Sequence, residues 1–178
     1  MAIEQKKLQV ELDNVFKLVN DWLKYAEQKL AGLIVLNGGI LWGYSRLMNT
    51  YDSLPKLSIC LNIFAYALTI GALLVSIVAA MPVLNRVFFS SSMQNNDDSS
   101  IYFGDIQKYS HGEYLSLLNK RTGLNQPDFT DYEIDQAKQI IYNSRIATSK
   151  FNAAISASWM TLAAVVFYVV SLIVIITW

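Results

Sequence analysis

One apolar run constrains the fold of this chain more than any other feature. It extends from Leu57 to Leu84 and has no charged side chain between Lys56 and Arg86. A helix of about 20 apolar residues crosses the hydrocarbon core of a bilayer, which is about 30 Å thick. Only a helix or a closed barrel satisfies the backbone hydrogen bonds in lipid. The run therefore predicts a transmembrane helix.

The composition places the whole chain among membrane proteins. Hydrophobic residues make up 53% of the sequence and charged residues 16%, and the mean hydropathy is +0.31. The 14 basic and 14 acidic residues cancel, so the chain lacks the basic stripe that binds nucleic acid polymers. The single cysteine, Cys60, lies inside the apolar run and leaves no disulfide framework and no cysteine metal site.

Two further apolar blocks flank the run, so the sequence predicts an all-α membrane protein with three transmembrane helices. Long cytoplasmic extensions of the first and third helices would form a helical region in water. Lysine and arginine concentrate before the first block and between Arg86 and Lys150, which places the N-terminus of this multi-pass chain in the cytoplasm. The predicted segments are a cytoplasmic amphipathic helix over 1–29, a first span over 30–48, a periplasmic turn over 49–56, a second span over 57–84, a cytoplasmic sensing region over 85–150 and a third span over 151–178.

Apolar residues in both extensions recur at alternating steps of three and four, the spacing of a helix face that packs on its neighbours. The first extension is expected to continue unbroken into the first span. The last helix is expected to begin at a capping box of Thr130 and Glu133 and to run unbroken to Trp178. Between the two we expect a break at Gly104 followed by a short helix. The residues on the two faces are Leu8, Leu12, Val15, Val19, Trp22 and Ala26, and Ile134, Ala137, Ile141, Ser144, Thr148 and Phe151.

Small and amide side chains predict where the spans pack against each other. Small residues let two helix backbones approach closely, and an amide in lipid must find a hydrogen-bond partner. Gly39 and Gly43 form a GxxxG pair, a pattern that also arises by chance in apolar segments. The residues expected at these contacts are Asn37, Gly38, Gly39 and Gly43 in the first span and Asn62, Ala65, Thr69, Ala72 and Ser76 in the second.

The sequence offers few residues for catalysis, so we expect no enzymatic activity, no metal and no cofactor. His111 stands alone, and no HExxH, GxSxG or phosphate-binding glycine motif is present. The spans contain no acidic residue, which disfavours an ion-coupled transporter. Aromatic and basic residues of the cytoplasmic region could bind a small nucleotide, although such residues more often serve packing or lie solvated. They are Tyr102, Phe103, Tyr109, Tyr142, Lys108, Lys120, Arg121, Arg145 and Lys150.

Three segments follow one another along the chain: AEQKLAGLIVLNGGIL at 26–41, YFGDI at 102–106 and DQAKQIIYNSRIATSKFNAA at 135–154. In this order, ahead of a final apolar block, they resemble the transmembrane effector family of the Pycsar anti-phage systems. The positions that correspond to the family's motifs are Glu27, Lys29, Asn37, Gly38, Phe103, Gly104, Gln139, Ser144, Arg145, Ile146 and Lys150.

The resemblance implies a bacterial inner-membrane effector of anti-phage defence. A partner cyclase would make a cyclic pyrimidine nucleotide, cCMP or cUMP, as a second messenger. The effector, a homo-oligomer in the lipid bilayer, would respond by disrupting the membrane, and abortive infection would follow. The ligand is expected where the turn at 102–106 meets the last helix. The expected ligand-binding residues are Tyr102, Phe103, Gly104, Asp105, Arg145 and Lys150.

Two other functions remain open from the sequence. A structural or scaffold membrane protein would use its cytoplasmic helices to bind another protein, and it predicts neither small-molecule binding nor toxicity. An effector that senses a cyclic oligonucleotide would need more basic contacts than a single phosphate does. The chain also departs from the family's pattern at Glu27, where aspartate is expected, at Leu30, where a small residue is expected, and at Asp105, where histidine is common.

Overall fold

The computed structural model describes residues 2–51, 53–82, 94–95, 97–124 and 126–178, with side chains from residue 6 onward. All regular structure in these ranges is helical. The predicted end of the second span at Leu84 lies outside them, as does the start of the predicted sensing region at residue 85. The helices are α1 (Ala2–Met48), α2 (Lys56–Ala80), α3 (Phe103–Ile106), α4 (His111–Arg121) and α5 (Asp131–Thr177).

The two long helices confirm that both extensions continue into apolar blocks without a break. α1 and α5 each contain 47 residues, so each is about 70 Å long at 1.5 Å per residue. The predicted capping box precedes α5. The Thr130 amide donates to the Glu133 carboxylate at 2.7 Å, and the Glu133 amide donates to Thr130 Oγ1 at 3.3 Å. This satisfies amides that a helix start otherwise leaves without a partner.

The break predicted at Gly104 is wrong, because Gly104 lies inside the single turn of α3. The amides of the next two residues both donate to the Tyr102 carbonyl at 3.0 Å, which closes the turn. The Tyr102 ring folds over the glycine, since a Cβ built there would lie 2.5 Å from a ring carbon. The short helix expected next is confirmed as α4, and it begins at a second capping box of Ser110 and Glu113.

The helices contribute to two compact units. The first unit comprises Met1–Ala26 and Val83–Ser149, and the second comprises Glu27–Pro82 and Lys150–Trp178. α1 and α5 therefore each contribute residues to both units. The predicted membrane boundaries stay predictions, because contacts within the chain do not locate a bilayer.

The first unit buries most of the α1 face that the spacing of three and four predicts. The exception is Trp22, which is 37% exposed. On α5 the buried face is rotated from the prediction: Ile134 and Thr148 are only half-buried, while Ile140 and Ala147 are buried. The core residues include Leu8, Leu12, Val15, Val19 and Ala26 of α1, Ile106 of α3, Tyr114, Leu115 and Leu118 of α4, and Ala137, Ile140, Ile141, Ser144 and Ala147 of α5.

Polar side chains fix the register between α1 and α5 in the first unit. Gln136 Nε2 donates to Asp13 Oδ1 at 2.7 Å, and Asn143 Nδ2 donates to Asn20 Oδ1 at 2.8 Å. Both pairs are separated by 123 residues. A constant separation shows that the two helices run in the same direction here, and polar pairs at a helix interface specify register.

Burial in the second unit is the reverse of that in a soluble protein. Many large apolar side chains are exposed, among them Phe64 at 62% and Trp159 at 66%. An apolar surface of this kind marks contact with lipid or protein. Apart from Leu30 and Ile175, the buried residues described in this unit are small, polar or aromatic, as at helix contacts in membranes. They are Asn37, Tyr44, Ser58, Asn62, Ala65, Thr69, Ala72, Ser76, Lys150, Ala154, Ala157, Thr161, Ala164, Tyr168 and Ser171.

Two of the described helices, α2 and α5, are long and apolar enough to cross a membrane. The apolar block at 30–48 within α1 is not among them, because Asn37, Arg46 and its glycines lower its hydropathy. The first of the three predicted spans therefore stays a prediction.

Candidate functional site

A short segment that begins with α3 contacts both α1 and α5 within the first unit. Phe103, the first residue of α3, is 6% exposed, and its ring centroid lies 5.6 Å from that of Trp22 on α1. On α5, Arg145 Nε donates to Gln107 O at 3.1 Å and Nη2 donates to Tyr109 O at 3.4 Å. The segment is therefore held by an aromatic ring of α1 and by a guanidinium of α5.

Four rings form a continuous row in the order Tyr25, Trp22, Phe103 and Tyr102, which we call the aromatic row. Successive ring centroids are 6.3, 5.6 and 4.8 Å apart. Phe103 is buried, whereas Tyr25, Trp22 and Tyr102 are 45%, 37% and 49% exposed. The aromatic row therefore presents three partly exposed rings around one buried anchor.

Asp98, Asp105 and Lys108 form a charged cluster around α3. Lys108 Nζ lies 2.8 Å from an oxygen of each aspartate, and Asp98 Oδ2 accepts from the Tyr109 hydroxyl at 3.0 Å. Hydrogen bonds, first of all from Lys108, hold the pKa of Asp98 below its usual value. Hydrogen bonds to Asp105 and then Asp98 raise the pKa of Lys108. The cluster ties the chain before α3 to the chain after it.

The residues expected to bind the ligand divide between the two units. Residues 102–105 are consecutive around the start of α3, and Arg145 binds the carbonyls that follow this helix. Burial lowers the pKa of Arg145, but a guanidinium stays charged at neutral pH. Lys150 belongs to the second unit, where its Nζ lies 2.7 Å from Glu27 Oε1. Their role in ligand binding stays a prediction.

Two of the other nucleotide-binding candidates contact Asp98. Tyr109 is 7% exposed and donates to Asp98, and Arg121 Nη2 donates to the carbonyl of that aspartate at 3.4 Å. Tyr142 and Lys120 are exposed on α5 and α4.

Two residues of the aromatic row were not foreseen as part of a site. The sequence pattern predicted only that Trp22 lies on a packing face, and it predicted no role for Tyr25. The signal that could have found Trp22 is its size, because it is the one aromatic residue on an otherwise aliphatic face.

The sequence matches a protein family along almost its whole length. The match is to the Pycsar effector protein domain, PycTM, and covers residues 11–177. The chain belongs to the Pycsar effector family. It is therefore an effector of anti-phage defence, as the resemblance of the three sequence segments indicates, and this Pycsar family is not a known family of enzymes. No curated protein and no solved structure gave a match.

In the second unit of this Pycsar effector, polar side chains join the helices. Thr161 Oγ1 donates to Asn37 Oδ1 at 3.0 Å, and the Tyr44 hydroxyl donates to Asn62 Oδ1 at 2.8 Å. The other residues expected to pack on the second span, Ala65, Thr69, Ala72 and Ser76, are all buried.

The glycines of the first apolar block are placed differently. A Cβ built on Gly38, Gly39 or Gly43 meets no described neighbour within 4 Å. The GxxxG pair therefore makes no close helix contact within the described part of one Pycsar effector chain. Nor do the described residues of the chain contain a group of three or more His, Cys, Asp or Glu side chains that could hold a metal ion.

Proposed function

We propose that this effector senses a cyclic pyrimidine nucleotide, cCMP or cUMP, and responds by disrupting the integrity of the bacterial inner membrane. The observation that carries the proposal is the match to the Pycsar effector protein domain over residues 11–177. This match includes most of both structural units. A single domain would therefore contain the sensing part and the membrane part, and abortive infection would follow from their joint action.

The ligand would bind in the first unit beside α3. A cyclic mononucleotide offers a flat base and a phosphate with one negative charge. Partly exposed rings such as Tyr102 suit base stacking, and the guanidinium of Arg145 suits phosphate oxygens. Lys150 is the alternative anion partner, but it would have to exchange the Glu27 carboxylate for the phosphate.

The second unit would form the membrane part, with three spans. The apolar block of α1 would be the first span, because its side chains enter the interior of this unit. Asn37 is fully buried and accepts from Thr161, and Tyr44 donates to Asn62. Hydrogen bonds between helices hold membrane helices together. The exposed apolar side chains would face lipid.

The distribution of lysine and arginine favours a cytoplasmic N-terminus and cytoplasmic residues 85–150, so the sensing part would meet a nucleotide made in the cytoplasm. Open space beside Gly39 and Gly43 would let a helix of a second copy approach α1, so we propose a homo-oligomer. A ligand that prefers one arrangement of the helices shifts the population toward it. Because α1 and α5 contribute to both units, a change in their packing would reach the membrane part.

Bacteria that express the effector with or without a cyclase for cCMP or cUMP provide the test. We expect loss of viability and uptake of propidium iodide only with a pyrimidine cyclase. Arg145→Ala should abolish both at unchanged expression. Lys138→Ala is the matched control, since Lys138 is half exposed on the same helix and pairs with Asp135. An effector that stays harmless with both cyclases, or that responds only to a cyclic oligonucleotide, would contradict the proposal.

A further inference from the structure

The buried face of α1 contains one residue that does not fit inside it. The aliphatic residues of this face in the first unit are at most 2% exposed, whereas Trp22 is 37% exposed. An indole is much larger than the valine and alanine side chains on either side of it along this face. It therefore extends beyond the helix contact, and its ring packs on Phe103 of α3.

The ring contacts of Trp22 are tilted or edge-on. Its plane makes an angle of 44° with Phe103 and 71° with Tyr25. Aromatic pairs of these kinds are favourable, so they hold the indole in place. The indole is therefore a positioned ring, and 37% of the Trp22 residue is exposed to solvent. Tryptophan of this kind is well suited to stack on a base, because stacking needs only a π-face.

The group that could hold a phosphate contacts the same short segment. Trp22 contacts Phe103, and Arg145 donates to the carbonyls of residues 107 and 109. The bond to Tyr109 O, at 3.4 Å, is long for a hydrogen bond. A phosphate oxygen forms a shorter and charge-assisted bond with a guanidinium. An aromatic ring from α1 and a cation from α5 therefore contact the same short segment, which begins with α3 and continues to Tyr109.

We infer that the indole of Trp22 is the stacking surface for the pyrimidine base of the ligand, with Arg145 as its phosphate partner. This inference rests on the proposed function and assigns base recognition to α1. The ligand would then contact α1 and α5, the two helices that contribute to both units. Stacking alone does not distinguish cytosine from uracil, so Trp22 should serve both nucleotides equally.

The test uses full-length effector in detergent in which Trp22 is the only tryptophan. The sequence contains four tryptophans, and the variant carries Trp42→Phe, Trp159→Phe and Trp178→Phe. Titration with cCMP or cUMP should quench the remaining emission in a saturable way. In the unmodified background, Trp22→Leu should raise the Kd by about 5- to 150-fold, the range of base–aromatic stacking.

Two further variants separate stacking from folding. Trp22→Phe keeps a ring and should bind within about 5-fold of the unmodified effector, at the weak end of aromatic stacking. Tyr132→Leu removes a ring that is 67% exposed on α5 and outside the aromatic row, and it should leave the Kd unchanged. Helix content from circular dichroism is measured for each variant.

The outcomes distinguish the inference from the proposed function. If cCMP or cUMP binds with unchanged Kd to Trp22→Leu and leaves the single-tryptophan emission unchanged, the inference is overturned and the proposed function stands. If neither nucleotide binds the unmodified effector, both are overturned. If Trp22→Leu loses its helix content, the other two measurements are used. Quenching of the single-tryptophan emission and a Kd of Trp22→Phe within about 5-fold of the unmodified effector support the inference, and unchanged emission overturns it.

Discussion

Lys150 on α5 and Glu27 on α1 form an ion pair with 2.7 Å between Nζ and Oε1. The lysine side chain is 6% exposed and the glutamate side chain 51%. A lysine this buried is unfavourable without a counter-charge. Each residue is the first of its helix within the second unit. The pair therefore fixes α1 against α5 where this unit begins.

Removal of the carboxylate should destabilise the second unit. We expect Glu27→Gln to lower the free energy of unfolding by about 1–3 kcal/mol, the cost of a buried hydrogen-bonding group without its partner, because the half-exposed glutamate leaves Lys150 near water. The exchange of the two charges, Glu27→Lys with Lys150→Glu, should recover part of this loss. Asp135→Asn breaks the exposed pair with Lys138 and should cost less than about 0.5 kcal/mol. Thermal unfolding in detergent measures each variant, and equal losses in Glu27→Gln and the control would argue against a buried pair.

The hydrogen bond between Thr161 and Asn37 should couple α5 to the apolar block of α1. Asn37→Leu and Thr161→Val should each cost about 1 kcal/mol, and the double variant less than their sum, because such bonds contribute about 0.6–1.7 kcal/mol. Ser156→Ala is the control, since Ser156 is exposed and bonds only to its own helix. A double-mutant cycle in mixed micelles measures the coupling. Strictly additive losses would show that this contact does not hold residues 30–48.

The first unit should lose stability in acid because of Asp98. Hydrogen bonds, chiefly from Lys108, lower its pKa in the folded state. The stabilisation is therefore present above the unfolded pKa of about 3.9 and is lost as the pH falls through the lower folded value. At pH values below about 4, we expect the unfolding temperature to decrease. Asp98→Asn should make this decrease smaller and should reduce stability at neutral pH. Asp97→Asn, at an exposed neighbour, should follow the unmodified profile; the same profile in Asp98→Asn would refute the role of this carboxylate.

The position of the Tyr102 ring should depend on the absence of a Cβ at Gly104. In Gly104→Ala the new Cβ would lie 2.5 Å from a ring carbon, so the ring must leave its place in the aromatic row. Tyr102 is half exposed and can move, so we expect less than about 1 kcal/mol of destabilisation but a weaker response to the nucleotide. Gly112→Ala, where a Cβ meets no described neighbour within 4 Å, should raise stability by about 0.5–1 kcal/mol and leave the response unchanged. An unaltered response in both variants would remove Tyr102 from the site.

The sequence predicted the long helices well because their determinants are local. Steps of three and four along α1 mark its buried face, and the Thr130–Glu133 box lies within one helical turn. The α5 face was predicted less well. Ile140 and Ala147 are buried there instead of Ile134 and Thr148. Several sets of residues on this helix fit the same spacing, and the contacts with the neighbouring helices determine which set is buried.

The candidate site depends on contacts between residues distant in sequence, which periodicity does not report. Trp22 fits the pattern of a buried position, and only the approach of α3 shows that it joins the aromatic row. Gly104 suggested a break, but the hydrogen bonds of α3 and the Tyr102 ring stabilise a helical turn at this position. The family resemblance nevertheless pointed to residues 102–105 and Arg145, which the structure places in one unit.

The most direct test of the account is the release of a trapped dye from vesicles that contain the purified effector. Vesicles of phosphatidylethanolamine and phosphatidylglycerol are loaded with carboxyfluorescein, and cCMP, cUMP or cAMP is added. We expect saturable release with a pyrimidine nucleotide, none with cAMP, and none with either pyrimidine nucleotide in the Arg145→Ala variant. Vesicles that remain sealed with both pyrimidine nucleotides, or that leak equally with cAMP, would contradict the account.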